Sequence, residues 1–148
     1  MITKRYIIVQ IILIVLSINT NGQNTPDEYI NAFFEEYQSK TTDEAFDSIF
    51  ATNSFVTKED VGKIKNRVNQ YKEVLGKYHD KELLIKKDIG ESIEVHSYML
   101  KYDRQPIRFI FTFYKPGANW KIYNFRLSDD FLEEIENATI KLSYEEKP

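Results

Sequence analysis

The stretch that most constrains this chain covers residues 107–127, IRFIFTFYKPGANWKIYNFRL. Apolar side chains recur at every second position on both sides of Pro116-Gly117. That period belongs to strands with one buried face, and the Pro-Gly pair marks the reversal between them. A two-stranded hairpin is marginal alone in water. The remaining chain must therefore pair with this hairpin or cover it.

The period of two begins earlier, near Glu82. Four strands are expected, over residues 82–89, 93–102, 107–114 and 119–127. Gly90-Glu91, Arg104-Gln105 and residues 115–118 link them, and links this short make antiparallel neighbours, hence a meander. The turns set a trial register with Tyr98 opposite Leu83 and Phe111, His96 opposite Ile85 and Phe113, and Phe125 opposite Phe109. One face then gathers Leu83, Ile85, Tyr98, Leu100, Tyr102, Ile107, Phe109, Phe111, Phe125 and Leu127.

Upstream of the strands the period is helical. Thr25, Pro26 and Glu28 have capping-box spacing ahead of an apolar stripe of Tyr29, Ile30, Phe33, Phe34 and Tyr37. Thr41 and Glu44 repeat that spacing ahead of Phe46, Ile49 and Phe50. A third and longest helix opens at Thr57 and Asp60, carries Val61, Ile64, Val68, Tyr71 and Leu75 inward, and stops at Gly76. After the last strand, Ser128 caps a C-terminal helix with Phe131, Ile135, Ala138 and Leu142 on its apolar edge. The expected fold class is α+β: three N-terminal helices packed on a curved four-stranded antiparallel meander, plus a C-terminal helix.

Lys4 and Arg5, the apolar run over residues 7–18, and the small or polar Asn19, Thr20, Asn21 and Gly22 follow the three-part pattern of a secretory signal peptide. Cleavage is expected near Gly22, giving an exported, periplasmic or secreted chain with no stable membrane insertion. Residues 23–148 then form a single domain, about 125 residues being within the usual range. The chain has no cysteine, so a core alone must stabilise it. Its net charge of −3 argues against nucleic acid as a partner.

The opposite face of the sheet is mixed. Ile110, Tyr114, Trp120 and Ile122 give it an apolar part and a candidate interface. Lys101, Arg108 and Arg126 fall side by side as a row of cations. Like charges directly opposed on a sheet repel, so the row calls for Asp129, Asp130, Glu133 or Glu134 as neutralising partners, or for a bound anion.

Three helices followed by this meander resemble the nuclear transport factor 2-like superfamily of cone-shaped α+β domains, also grouped with cystatin-like folds. The resemblance spans residues 25–127, and the chain looks most like the small exported bacterial members. It rests on FFEEY in the first helix, DEAF in the second, and RFIFTFY and NWKIYNFRL in the hairpin. It implies a curved sheet enclosing a pocket against the helices, frequent dimerisation through the outer sheet face, and no single activity. Enzymes of the superfamily commonly set Asp, His and Tyr inside the cone. Here His96, Tyr98, Tyr102 and Tyr123 are the candidate pocket residues, with Asp47 and Glu94 the nearest acids.

No cofactor motif is present, and with only His79 and His96 no metal site is expected. The leading expectation is a non-enzymatic domain that binds a small ligand or a protein partner. The alternatives are a self-associating module, a possible homodimer through the outer face, and a lyase or isomerase working in the cone.

Overall fold

The computed structural model describes residues 25–129 together with 133, 135 and 136. Its elements run α1 (Pro26–Ser39), α2 (Thr42–Phe50), α3 (Lys58–Leu75), β1 (Tyr78–Ile89), β2 (Ile93–Tyr102), β3 (Ile107–Tyr114) and β4 (Lys121–Ser128). The four strands form one antiparallel sheet in the order β1-β2-β3-β4. The signal segment and the C-terminal helix expected from the sequence lie outside the described residues, apart from three helical positions in the latter. Among the described residues no helix is long and apolar enough to cross a membrane.

The helix starts follow from their caps. Thr25 Oγ1 accepts from the Glu28 N–H at 3.3 Å, and Glu28 returns a bond to the Thr25 N–H at 2.7 Å. Thr41 and Glu44 repeat the exchange at 3.2 and 3.0 Å. Each box satisfies two N–H groups that a helix end leaves open. Thr57 caps α3 through the Asp60 N–H at 3.1 Å.

The helices bury their stripes on the inner face of the sheet. Phe33 and Phe34 of α1, Phe46 of α2, and Phe109, Phe111 and Phe125 of the sheet touch ring to ring, with centroids 4.9–6.4 Å apart and mostly edge to face. Edge-to-face pairs contribute about 0.5–1.5 kcal/mol each beyond the burial of their area. Phe33, Phe46, Phe109 and Phe111 are all wholly enclosed. The space between the helices and the sheet is thus packed with rings.

The register differs from the expected one by two residues on both sides of β3. Leu100 faces Ile107, Tyr98 faces Phe109 and His96 faces Phe111, while Phe111 faces Phe125 and Phe109 faces Leu127. The link after β2 is longer than a two-residue turn because it is tied elsewhere. The Lys77 N–H donates to Asp103 Oδ2 at 2.7 Å, and the Arg104 N–H donates to the Leu75 carbonyl at 3.1 Å. A slip of two leaves every side chain on its expected face, so most of the core is as expected.

Two bulges do change faces. In β1 the register shifts between Leu83 and Ile85, which carries Ile85 to the outer side opposite Ser97, whereas Leu83 stays opposite Tyr98 on the inner side; at the sheet edge both are about half exposed rather than core. Lys81 and Lys86 stand on the inner side there, opposite Leu100 and His96. Lys81 lies over the Phe34 ring at 4.3 Å, its stem closing the edge of the core while burial pushes its amine below the ordinary range. In β4 the register shifts opposite Thr112/Phe113. The extra residue is Tyr123, and it reverses the residues before it.

Candidate functional site

The β4 bulge corrects two expectations at once. Ile122 is wholly buried and belongs to the core, not to an outer interface, and Trp120 packs against that core as well. Tyr123 stands outside, 63% exposed, and does not belong to a pocket. The loop after α2 fixes this inversion. Thr52 Oγ1 accepts from the Ile122 N–H at 3.0 Å, and Asn53 Nδ2 donates to the Ile122 carbonyl at 2.7 Å. Both polar groups of Ile122 are thereby bonded to the helical layer, which draws its side chain inward.

The other candidate pocket residues do face the helices. Tyr98 sits edge-on to Phe34 and Phe111. Tyr102 shares a hydrogen bond of 2.5 Å with Tyr37, hydroxyl to hydroxyl, within the core. Burial pushes the Tyr102 hydroxyl up to about 12, and Tyr37 higher still through burial and its neighbour. These hydroxyls satisfy each other, which is the usual fate of buried polar groups.

His96 is wholly buried at the open margin of the inner face. Its Nε2 bonds Glu94 Oε1, and its Nδ1 points towards Asp27 Oδ1 at 3.8 Å without a hydrogen-bond partner. An unsatisfied buried polar atom costs about 1–3 kcal/mol. Asp27 comes from the first turn of α1 and Glu94 from β2, two residues before His96. Lys86 of β1 completes the group, with Nζ at 2.5 Å from Asp27 Oδ2 and 3.3 Å from Glu94 Oε1. Asp27 first, and then Glu94, hold its ammonium above the ordinary range. Ligand atoms of Asp27, Glu94 and His96 all lie within 4.8 Å of one another, spacing that suits a metal ion. Sequence reasoning named His96 and Glu94 but missed Asp27 and Lys86. The first is a generic helix-start acid, and the second reaches the inner face only through the β1 bulge.

The cations are staggered rather than aligned. Arg108 faces Met99 and Ser128, and Arg126 faces Ile110. Lys101 pairs with Glu82 at 3.0 Å. Asp129, expected near this row, instead receives the Tyr71 hydroxyl at 2.5 Å and approaches Arg67 at 4.0 Å. The two-residue slip in register accounts for the stagger, and no continuous row of three exists.

Ile110 is half-buried on the outer face, with Val95 and Met99 beside it on β2. Tyr114 lies at the end of this face, 37% exposed, and meets Tyr123 ring to ring at 6.2 Å. Phe55, from the loop before α3, is 84% exposed, and Lys121 lies over both Phe55 and Tyr114. Phe55 escaped sequence reasoning because a lone aromatic in a loop carries no periodic signal.

Among the described residues, open hollows lie elsewhere. The largest of three, about 830 Å³, runs between the end of α2 and the start of α3. A second, about 650 Å³, lies along the outer side of α3, and a third, about 100 Å³, lies between α3 and β4. None of these three is lined by His96, Tyr98, Tyr102 or Tyr123.

No family model matches the chain, and no curated protein matches it. Among solved structures, the chain is similar to a Thiobacillus denitrificans protein described as a calcium/calmodulin-dependent protein kinase type II association domain. Identity is 9% and the TM-score 0.48, over 70% of this chain and 94% of that one. A likeness this distant carries no argument about activity or assembly.

Proposed function

We propose that this protein is an exported, non-enzymatic interaction domain of the nuclear transport factor 2-like type, which binds a protein through its outer sheet face. The observation that carries the reading is the inversion of its aromatic residues. Rings fill the cone, whereas Phe55, Tyr114 and Tyr123 stand outside it. A small ligand needs a concave, largely preformed chamber, and the space between sheet and helices is taken by Phe33, Phe46, Phe109 and Phe111. A protein partner needs displayed apolar and aromatic surface instead.

The partner proposed is a second copy of this chain. Asp80 and Glu82 belong to the outer side of β1, and Arg126 to that of β4. Turning one sheet over about an axis along its strands lays the β1 side of each copy over the β4 side of the other. Acid then meets base at both margins, while Val95, Met99 and Ile110 meet in the middle. Sedimentation velocity on the processed chain tests this. A dimer is expected at about 100 µM, corresponding to a modest affinity of roughly −5 to −6 kcal/mol, and Ile110→Glu should return it to monomer. A clean monomer throughout, or a dimer indifferent to Ile110→Glu, overturns the reading.

A lyase or isomerase reading rests on the Glu94–His96 pair, a carboxylate and imidazole within hydrogen-bond reach. It takes second place because His96 is wholly buried and borders none of the three hollows.

A further inference from the structure

We propose that Asp27 and His96, oriented by Glu94, form a binding site for a divalent transition-metal ion such as zinc, and that the Lys86 ammonium competes for it. The inference is independent of self-association. A carboxylate oxygen accepts, so the bond to Glu94 puts the His96 proton on Nε2 and leaves the Nδ1 lone pair exposed to a cation. Carboxylate–histidine–metal arrays are built in this way, the carboxylate fixing the tautomer of the ligating ring.

Nδ1 is buried, without a hydrogen-bond partner, and turned towards Asp27 Oδ1 at 3.8 Å. Two ligands holding one zinc ion with arms of about 2.0–2.1 Å stand about 3.4 Å apart in tetrahedral geometry. The observed spacing needs only a small inward swing of Asp27, whose side chain is half exposed. Water would complete the coordination from that exposed side. Lys86 neutralises the same two carboxylates that a metal ion would, at 2.5 and 3.3 Å. An ammonium cannot use the Nδ1 lone pair as a metal can unless it moves nearer. Removal of Lys86 should therefore favour the ion. The sequence offers no ligand spacing of the usual kind here, because Asp27 reaches the group from another element.

The test uses the processed full chain, stripped with chelator and titrated with cobalt(II) and then zinc(II). Visible d–d absorption reports cobalt, and displacement of cobalt reports zinc. Lys86→Met should tighten binding about tenfold or more, and Asp27→Asn should weaken it by a similar factor, the scale on which changes around metal ligands act. Both side chains are near the surface, so circular dichroism should stay unchanged. His96→Gln should abolish the cobalt signal. No cobalt absorption in Lys86→Met at millimolar metal overturns the proposal. So does absorption that is equal in Asp27→Asn and the parent protein.

Discussion

Replacing Asn53 with alanine removes two hydrogen bonds, one of which holds the β4 inversion. Asn53 is buried, donates to the Ile122 carbonyl at 2.7 Å and accepts from the Phe55 N–H at 3.1 Å. The carbonyl is left without that partner beside a wholly buried side chain, at a cost of about 1–3 kcal/mol. Phe55 is an exposed residue, so water is expected to replace its lost bond at little cost. Thr52 still accepts from the Ile122 N–H at 3.0 Å, so the strand end is loosened rather than released. The expected loss is about 2 kcal/mol, or roughly 6–12 °C in Tm for a domain near this size. Urea unfolding followed by the fluorescence of Trp120, the single tryptophan, reads it close to the perturbation. Asn53→Asp keeps an acceptor for Phe55 but faces the Ile122 carbonyl with an oxygen, so it should be at least as harmful. A loss below about 0.5 kcal/mol for alanine, the range of ordinary surface changes, or a milder effect of aspartate, would refute the pinning of Ile122.

Gly76 ends α3 with φ +84° and ψ −149°, and an added Cβ would meet Asp103 Oδ2 at 2.8 Å. Gly76→Ala should therefore destabilise by about 1–3 kcal/mol in urea titration. Tyr102→Phe strands the Tyr37 hydroxyl in the core and should cost about 1–3 kcal/mol, whereas adding Tyr37→Phe should recover part of the loss in a double-mutant cycle. Asp103 is held below the ordinary carboxylate range, first by the Lys77 N–H and then by His79. Its folded pKa being depressed, its contribution is complete above about pH 4 and is lost as pH falls through the lower folded value. Asp103→Asn should flatten that part of the acid-side fall in urea midpoints measured between neutral and acid pH.

Local rules made much of this fold legible. Both capping boxes, all three helical stripes and the meander are written within short windows of sequence. The inner face survived a wrong register because the error was two residues, a whole period of the pleat. Single-residue bulges were not legible. At β4 the inversion of Ile122 and Tyr123 depends on Thr52 and Asn53, about seventy residues away. Those two residues look like an ordinary polar break between helices. At β1 the bulge brings Lys86 to Asp27 and Glu94 and turns Ile85 towards solvent. The candidate metal group is assembled by that tertiary approach, so the isolated His96 resembled a core residue. The edge strand also explains the exposed leucine and isoleucine. In β1 the aromatic core reaches only Tyr78, which packs against Tyr37 and Tyr102, and further along the strand the lysine stem of Lys81 takes over.

On the proposal above, this protein binds through its outer sheet face and not between sheet and helices. The absence of cysteine allows a direct measurement with one nitroxide label at Thr112→Cys, on that face, and another, in a separate variant, at Gln70→Cys on the open side of α3. If two outer faces stack, sheets about 10 Å apart put Thr112 labels roughly 15–25 Å from each other. Intermolecular dipolar coupling should then be strong at Thr112 and much weaker at Gln70. Absence of coupling at Thr112 in concentrated protein, or a shorter distance at Gln70, would contradict the account.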